Sequence, residues 1–266
     1  MDFGVFYDSP VWAVFLLIFL VNLLALEVGF RVGLKQQERW HDVDAEGGNL
    51  VLTSMLALLG LMLAFTFSAG IDRSDKRKAA AIDEANALGT AFLRTSLVEE
   101  PGRTALQNEL LDYARTRIVV RERMDSREER QAFVQETLGA QAKIWPTAQT
   151  ILRQREADVT TPLFLRAIND VLDQQTIRLE AALDRHPPQV LSMLILIAVA
   201  SLAVAGFNAG IRGIMSRWRM TIFAAVLAGV MYIIVDLDRP YSGFIQMTQV
   251  SLELAISDME LALEKP

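Results

Sequence analysis

Cysteine is absent from this 266-residue chain. That removes disulfides, thiolate metal ligands and a cysteine nucleophile together, and leaves the redox compartment unmarked. Histidine is almost absent: His41 and His186 are the only two. They lie far apart, so a histidine-based metal site or a Ser–His–Asp arrangement would rest on one residue. The sequence also has no phosphate-cradling glycine loop, no nucleophile elbow and no carboxylate–histidine metal motif. The chain therefore reads as a non-enzyme with no cofactor and no metal site. Its net charge of −6 gives no reason to expect nucleic acid, whose partners carry clustered Lys and Arg. From Asp72 to about His186 there is no clear two-residue alternation and no hairpin dipeptide between apolar runs, so no strands are expected there.

Apolar residues make up 52% of the chain, gathered into four charge-poor windows: Val11–Phe30, Leu50–Ile71, Val190–Ile211 and Met220–Leu237. Each is close to the roughly 20 apolar residues that carry a helix across a bilayer. The expected fold is an all-α integral membrane protein with four transmembrane helices, the lipid bilayer as its medium and the bacterial inner membrane as its location. The sequence divides into residues 1–71 (helices one and two), 72–189 (a water-exposed helical bundle), 190–237 (helices three and four) and 238–266 (an amphipathic tail).

The second window organises the rest. After Ile71 the chain becomes charged but contains no proline, and Ile82, Ala85, Leu88/Gly89 and Phe92 keep a helical period to Arg94. One long helix should leave the membrane and continue into the bundle. A Gly47-Gly48-Asn49 turn precedes it. Within the bundle, Glu100-Pro101-Gly102 makes a turn and Thr104–Arg123 forms a helix. Ser126 with Glu129 forms a capping box for a third helix, which Trp145-Pro146 kinks or ends. Thr161 caps a fourth, with Pro162 at its first position. In the tail, Ile245, Thr248, Leu252, Ala255/Ile256, Met259 and Leu263 share a face that should lie against the bundle.

Polar groups at membrane depth are few. Glu27 lies four residues before Arg31, and the two can pair along the helix. Gly60, Ala64 and Ser68 on the second span have the small-residue spacing that lets another helix approach closely. The third span repeats this device in Ala198, Gly206 and Gly210, with Leu202 between. Orientation is contested: Arg31, Lys35, Arg39, Arg212, Arg217 and Arg219 place the bundle outside, whereas Arg73, Lys76, Arg77 and Lys78 place it inside.

Two motifs, IDEANALGTAFLR (Ile82–Arg94) and DLDRPYSG (Asp236–Gly243), together with the layout of two spans, a helical domain and two more spans, resemble the bacterial and plant bestrophin-like membrane proteins. More distantly the chain is similar to the bestrophins, pentameric anion channels. There the second helix lines the pore, narrows at an apolar neck and continues into a cytoplasmic helical domain. The resemblance implies a homo-oligomer, pentameric by analogy, that passes inorganic anions. Phe65 and Phe67 are the counterparts of the neck. No dense acidic run follows the fourth span, so calcium gating is not implied.

Along the second helix, Leu63, Phe67 and Ile71 form one apolar line, and Leu61 with Phe65 a competing one. Either could form a constriction that gates by dewetting. Arg73, Lys76, Arg77 and Lys78 would form a basic ring beyond it. In the first motif Asn86, Thr90 and Arg94 make a polar stripe with Asp83 and Glu84 to either side. It is either a contact with a neighbouring subunit or ion path, or simply a solvated face. In the second, Asp236, Asp238 and Arg239 are either a helix terminus with an internal Asp–Arg pair or a charged ring at a pore mouth. The alternative to a channel is a membrane-anchored scaffold or sensor whose bundle binds a partner and conducts nothing.

Overall fold

A computed structural model describes residues 10–37, 45–120, 127–154, 158–239, 243–245 and 247–264. The readings made above at Arg39, His41, Ser126 and Pro240 fall outside these residues. Among the described residues the regular structure is entirely helical, and four helices are long and apolar enough to cross a membrane. The helices are α1 (Val11–Lys35), α2 (Ala45–Arg94), α3 (Gly102–Thr116), α4 (Arg127–Arg153), α5 (Thr161–Leu183), α6 (Pro188–Ile211), α7 (Arg217–Leu237) and α8 (Val250–Leu263). They form two compact units, Met1–Asp72 with Arg185–Arg239 and Arg73–Asp184 with Pro240–Pro266. The 50-residue α2 contributes to both.

The first unit contains α1, the beginning of α2, α6 and α7. Its core joins Val14, Ile18 and Leu26 of α1 to Leu194, Ala198 and Leu202 of α6 and to Leu227, Ala228 and Ile234 of α7. Lipid tails are as apolar as leucine, so burial alone does not hold helices together in a bilayer; close van der Waals packing must. Glycine provides it here. A Cβ on Gly29 would lie 2.0 Å from the Ala203 carbonyl oxygen, and one on Gly206 2.1 Å from that of Leu26. Gly33 and Gly210 repeat the contact at 2.3 Å from the Phe207 and Phe30 carbonyls. Residue numbers rise together along both helices, so α1 and α6 run parallel, backbone against backbone. The Ala198–Gly210 row thus makes a contact inside the chain, and its partner row is Ala25, Gly29 and Gly33. Glu27 pairs with Arg31 at 2.9 Å, as the spacing suggests, with Arg217 of α7 at 3.9 Å.

The second unit is an antiparallel bundle. Ala85, Leu88, Ala91 and Phe92 of α2 meet Leu106 and Leu110 of α3, Ile144 and Ala148 of α4, Phe164 and Ile168 of α5, and Leu252 and Met259 of α8. The tail does lie against this bundle, and Arg115 donates to Glu260 at 2.7 Å. That pair is about half exposed on both sides, where water and salt screen it. Glu260→Ala should therefore cost less than about 1 kcal/mol, measured by thermal unfolding, and raised salt should erase the difference.

Four local expectations change. No turn forms at Gly47-Gly48-Asn49: α2 already begins at Ala45, and the Gly48 carbonyl accepts from Asn208 Nδ2 at 2.9 Å. The helix expected to reach Arg123 stops at Thr116, because Gln249 takes both backbone groups of Val119, at 2.7 and 2.8 Å. The β-branched run Ile118-Val119-Val120 adds little helix propensity to resist this. Pro146 sits inside an unbroken α4. At the start of α5 the cap position is Thr160, one residue before the expected Thr161, and Asp158 Oδ1 accepts from the backbone N–H groups of Thr160 and Thr161 at 2.9 Å.

Candidate functional site

Of the four spans, α2 packs least against its own chain. Only 11% of its membrane-crossing window is buried, against 39% in the first and third spans and 44% in α7. Among the described residues, two parts of the span are tied to its own unit. At its start, Asn208 bonds Gly48, and Arg212 donates to Asn49 Oδ1 at 2.9 Å. In its middle, Leu59, Thr66 and Gly70 turn inward. Helical geometry then directs Leu61, Phe65 and Ser68 to the opposite side.

Side-chain exposure follows that geometry. Phe65 is 66% exposed and Leu61 53%, and Phe67 and Ile71 are also open, while Leu63 is partly packed into the core of its own unit. Ala64 and Ser68 are exposed, and a Cβ on Gly60 would meet nothing within 4 Å. Among the described residues of one chain, then, no other helix packs on the small-residue row.

Where α2 turns inward it meets a buried polar centre. His186 is buried although Leu183–Arg185 and Pro187–Gln189 around it are exposed. Pro187 and Pro188 fix the backbone after it by their locked φ angles. Its backbone N–H donates to Asp238 Oδ2 at 3.0 Å, and its ring Nδ1 lies 2.9 Å from both Asp238 carboxylate oxygens. Its Nε2 lies 2.9 Å from the carbonyl oxygen of Thr66, in the middle of α2. Gly70, one turn on, makes room: a Cβ there would sit 3.3 Å from the His186 ring and 3.0 Å from Leu237. Beside Asp238, Asp236 accepts from Tyr232 at 3.1 Å and Arg239 is buried. The three charged residues of the second motif are therefore all interior groups, and His186 is the residue that the sequence reading left without a role.

The second unit has a buried charged centre of its own, on Glu84. Its Oε1 accepts from the Tyr113 hydroxyl at 2.9 Å and from Arg117 Nε at 2.7 Å, and its Oε2 accepts from Arg178 Nη1. Arg178 also donates to the Arg117 carbonyl at 3.3 Å. Burial, with the Glu84 carboxylate next to it, pushes the Tyr113 hydroxyl well above its ordinary pKa, so it stays a neutral donor. The sequence carried a signal for this centre. Glu84 is in phase with Leu88 and Ala91, and Arg178 with Phe164, Ala167 and Val171, so each charge falls on an apolar stripe.

The other first-motif residues lie elsewhere. Asp83, Asn86 and Thr90 are exposed, and Arg94 donates to the Leu163 carbonyl at 2.8 Å. Of the four basic residues after the second span, Arg77 is buried and donates to the Asp184 carbonyl at 3.3 Å, and Arg73 pairs with Asp184 at 3.3 Å. Lys76 and Lys78 are at the surface.

Four apolar helices, with a helical bundle inserted between the second and third, define an integral membrane protein. The chain belongs to the bestrophin-like family, whose domain model matches residues 14–252. No curated protein matches it significantly. Two crystal structures share its fold. One is a bacterial bestrophin homologue from Klebsiella pneumoniae carrying a point mutation, with TM-score 0.58 and 12% identity over 96% of this chain and 98% of that one. The other is described as a membrane protein with a point mutation, with TM-score 0.58 and 12% identity over 96% and 97% of the two chains.

Proposed function

We propose that the protein is an oligomeric, anion-conducting channel whose subunits arrange their α2 helices around the permeation path. The observation that carries this reading is the low burial of α2 in its own chain, which leaves a full helix face for other copies and for the path. Membership of the bestrophin-like family supports it. The constriction is apolar and lies between Leu61 and Ile71. Leu61 and Phe65 are its first candidates because they point away from the subunit, with Phe67 and Ile71 on the flank. A narrow tube of such side chains holds water poorly and offers nothing to replace an ion's hydration shell. Beyond it along α2, Lys76 and Lys78 favour anions; Arg73 and Arg77, engaged with Asp184, contribute less.

The test is ion flux from liposomes carrying the purified protein. Phe65→Ala and Phe67→Ala should raise leak, with the larger effect at Phe65. Ser201→Ala should not, since Ser201 is buried and bonds Ile197 within its own helix at 2.7 Å. Absence of current from wild type and both phenylalanine variants would favour the scaffold reading.

A further inference from the structure

We propose that His186 is a proton-operated clamp on α2, the positioning residue through which pH acts on the constriction. The inference rests on the channel reading only for its consequence; the clamp itself rests on hydrogen-bond chemistry. A backbone carbonyl can only accept, and so can an ionised carboxylate. His186 has one on each ring nitrogen: Asp238 at 2.9 Å from Nδ1 and the Thr66 carbonyl at 2.9 Å from Nε2. With the carboxylate ionised, both contacts are hydrogen bonds only when both nitrogens carry protons.

A neutral ring must give one up. It keeps Nδ1–H on the carboxylate, because a hydrogen bond to an ionised group is the stronger. The Nε2 lone pair then faces the Thr66 carbonyl, and attraction becomes repulsion. Losing one proton therefore releases α2 while leaving His186 on Asp238. The sign follows: the clamp is closed at low pH and opens as pH rises.

The surroundings make that proton matter. Asp236 lies in the last turn of α7, and Asp238 and Arg239 follow its end, all three buried. α2 presents the Thr66 carbonyl, and the first charged residue after it along the helix is Asp72. The segment of His186 itself adds Arg185, which is exposed. Gly70 places the ring against the helix backbone, so the released turn, Thr66 to Gly70, lies between Phe65 and Ile71. A shift there moves the side chains proposed to narrow the path.

The chain has only two histidines, so imidazole-labelled protein in lipid gives two pairs of ring-nitrogen signals, and His41→Gln leaves the one pair that forms the His186 signal. Nitrogen NMR of that signal, followed from about pH 5 to pH 9, spans the range in which histidine titrates. We expect both ring nitrogens protonated at the low end, Nε2 losing its proton in one step, and a step in ion flux at the same midpoint. His186→Gln should remove the flux step. Asp238→Asn, which takes the ionised acceptor from Nδ1, should displace the titration and the flux step together.

The wild-type titration stands alone if a variant fails to fold. An Nε2 that carries no proton at any pH, or a flux with no pH step, overturns the clamp. The expected titration with no flux at any pH keeps the clamp and overturns conduction.

Discussion

Gly206→Leu should prevent the membrane unit from assembling, with loss of monodisperse protein in detergent as the measurement. Most small-to-large changes in a core are absorbed by side chains that move aside, at a cost of about 1–3 kcal/mol. Here the obstacle is backbone: even a Cβ would lie 2.1 Å from the Leu26 carbonyl and 2.9 Å from the Phe30 nitrogen. Relief requires α1 and α6 to separate along their length, which also opens Gly29, Gly33 and Gly210. The cost should reach or exceed the top of that range, roughly 3 kcal/mol. Gly29→Leu should behave the same way from the other helix. Gly60→Leu is the contrast. Nothing lies within 4 Å of a Cβ there, so the single chain should fold as before. If copies meet on that face, Gly60→Leu lowers the mass of the oligomer; an unchanged mass would place their contact elsewhere.

The second large effect is expected at Glu84, where removing one carboxylate should destabilise the bundle by about 3–5 kcal/mol. Glu84→Ala leaves Arg117 and Arg178 as buried cations without their shared anion, and the Tyr113 hydroxyl loses its acceptor. Glu84→Gln should be milder, since one acceptor oxygen remains. The origin of the loss can be checked by a double-mutant cycle. In an Arg178→Met background Glu84→Ala should cost less, with a coupling of about 0.5–3 kcal/mol, the range for residues in one network. Additive losses, measured by denaturant or thermal unfolding, would mean that the charge of Arg178 is not what Glu84 stabilises.

The bilayer explains why the spans were legible in the sequence. A crossing helix needs a long uncharged run, and few other structures do, so the four windows mark themselves. The continuous α2 was legible for a related reason, since no proline or strong break follows Ile71. Ends of elements were harder to read. Whether α3 continues past Thr116 depends on Gln249, which is 130 residues away from Val119, and no local pattern encodes that partner. The polar centres divide in the same way. Glu84 and Arg178 were readable as charges in phase with apolar stripes. The partner of His186 on α2 is a backbone carbonyl, which every residue has, so nothing in the letters around Thr66 singles it out. The glycine contact was half visible, through Gly206 and Gly210. Gly29 and Gly33, at the same spacing in α1, carried the other half of the signal.

The absence of native cysteine makes possible the most direct test of the proposed permeation path. Single cysteines placed at Leu61, Phe65 and Ser68 can be challenged with a charged, membrane-impermeant thiol reagent while ion flux is recorded from liposomes. The control is Val226→Cys on α7, a span residue that is 61% exposed in the chain. If α2 lines the path, modification at Phe65→Cys and Ser68→Cys should block flux and modification at Val226→Cys should leave it unchanged. Equal indifference at all four positions, in a preparation that conducts, would contradict the assignment of α2 to the path.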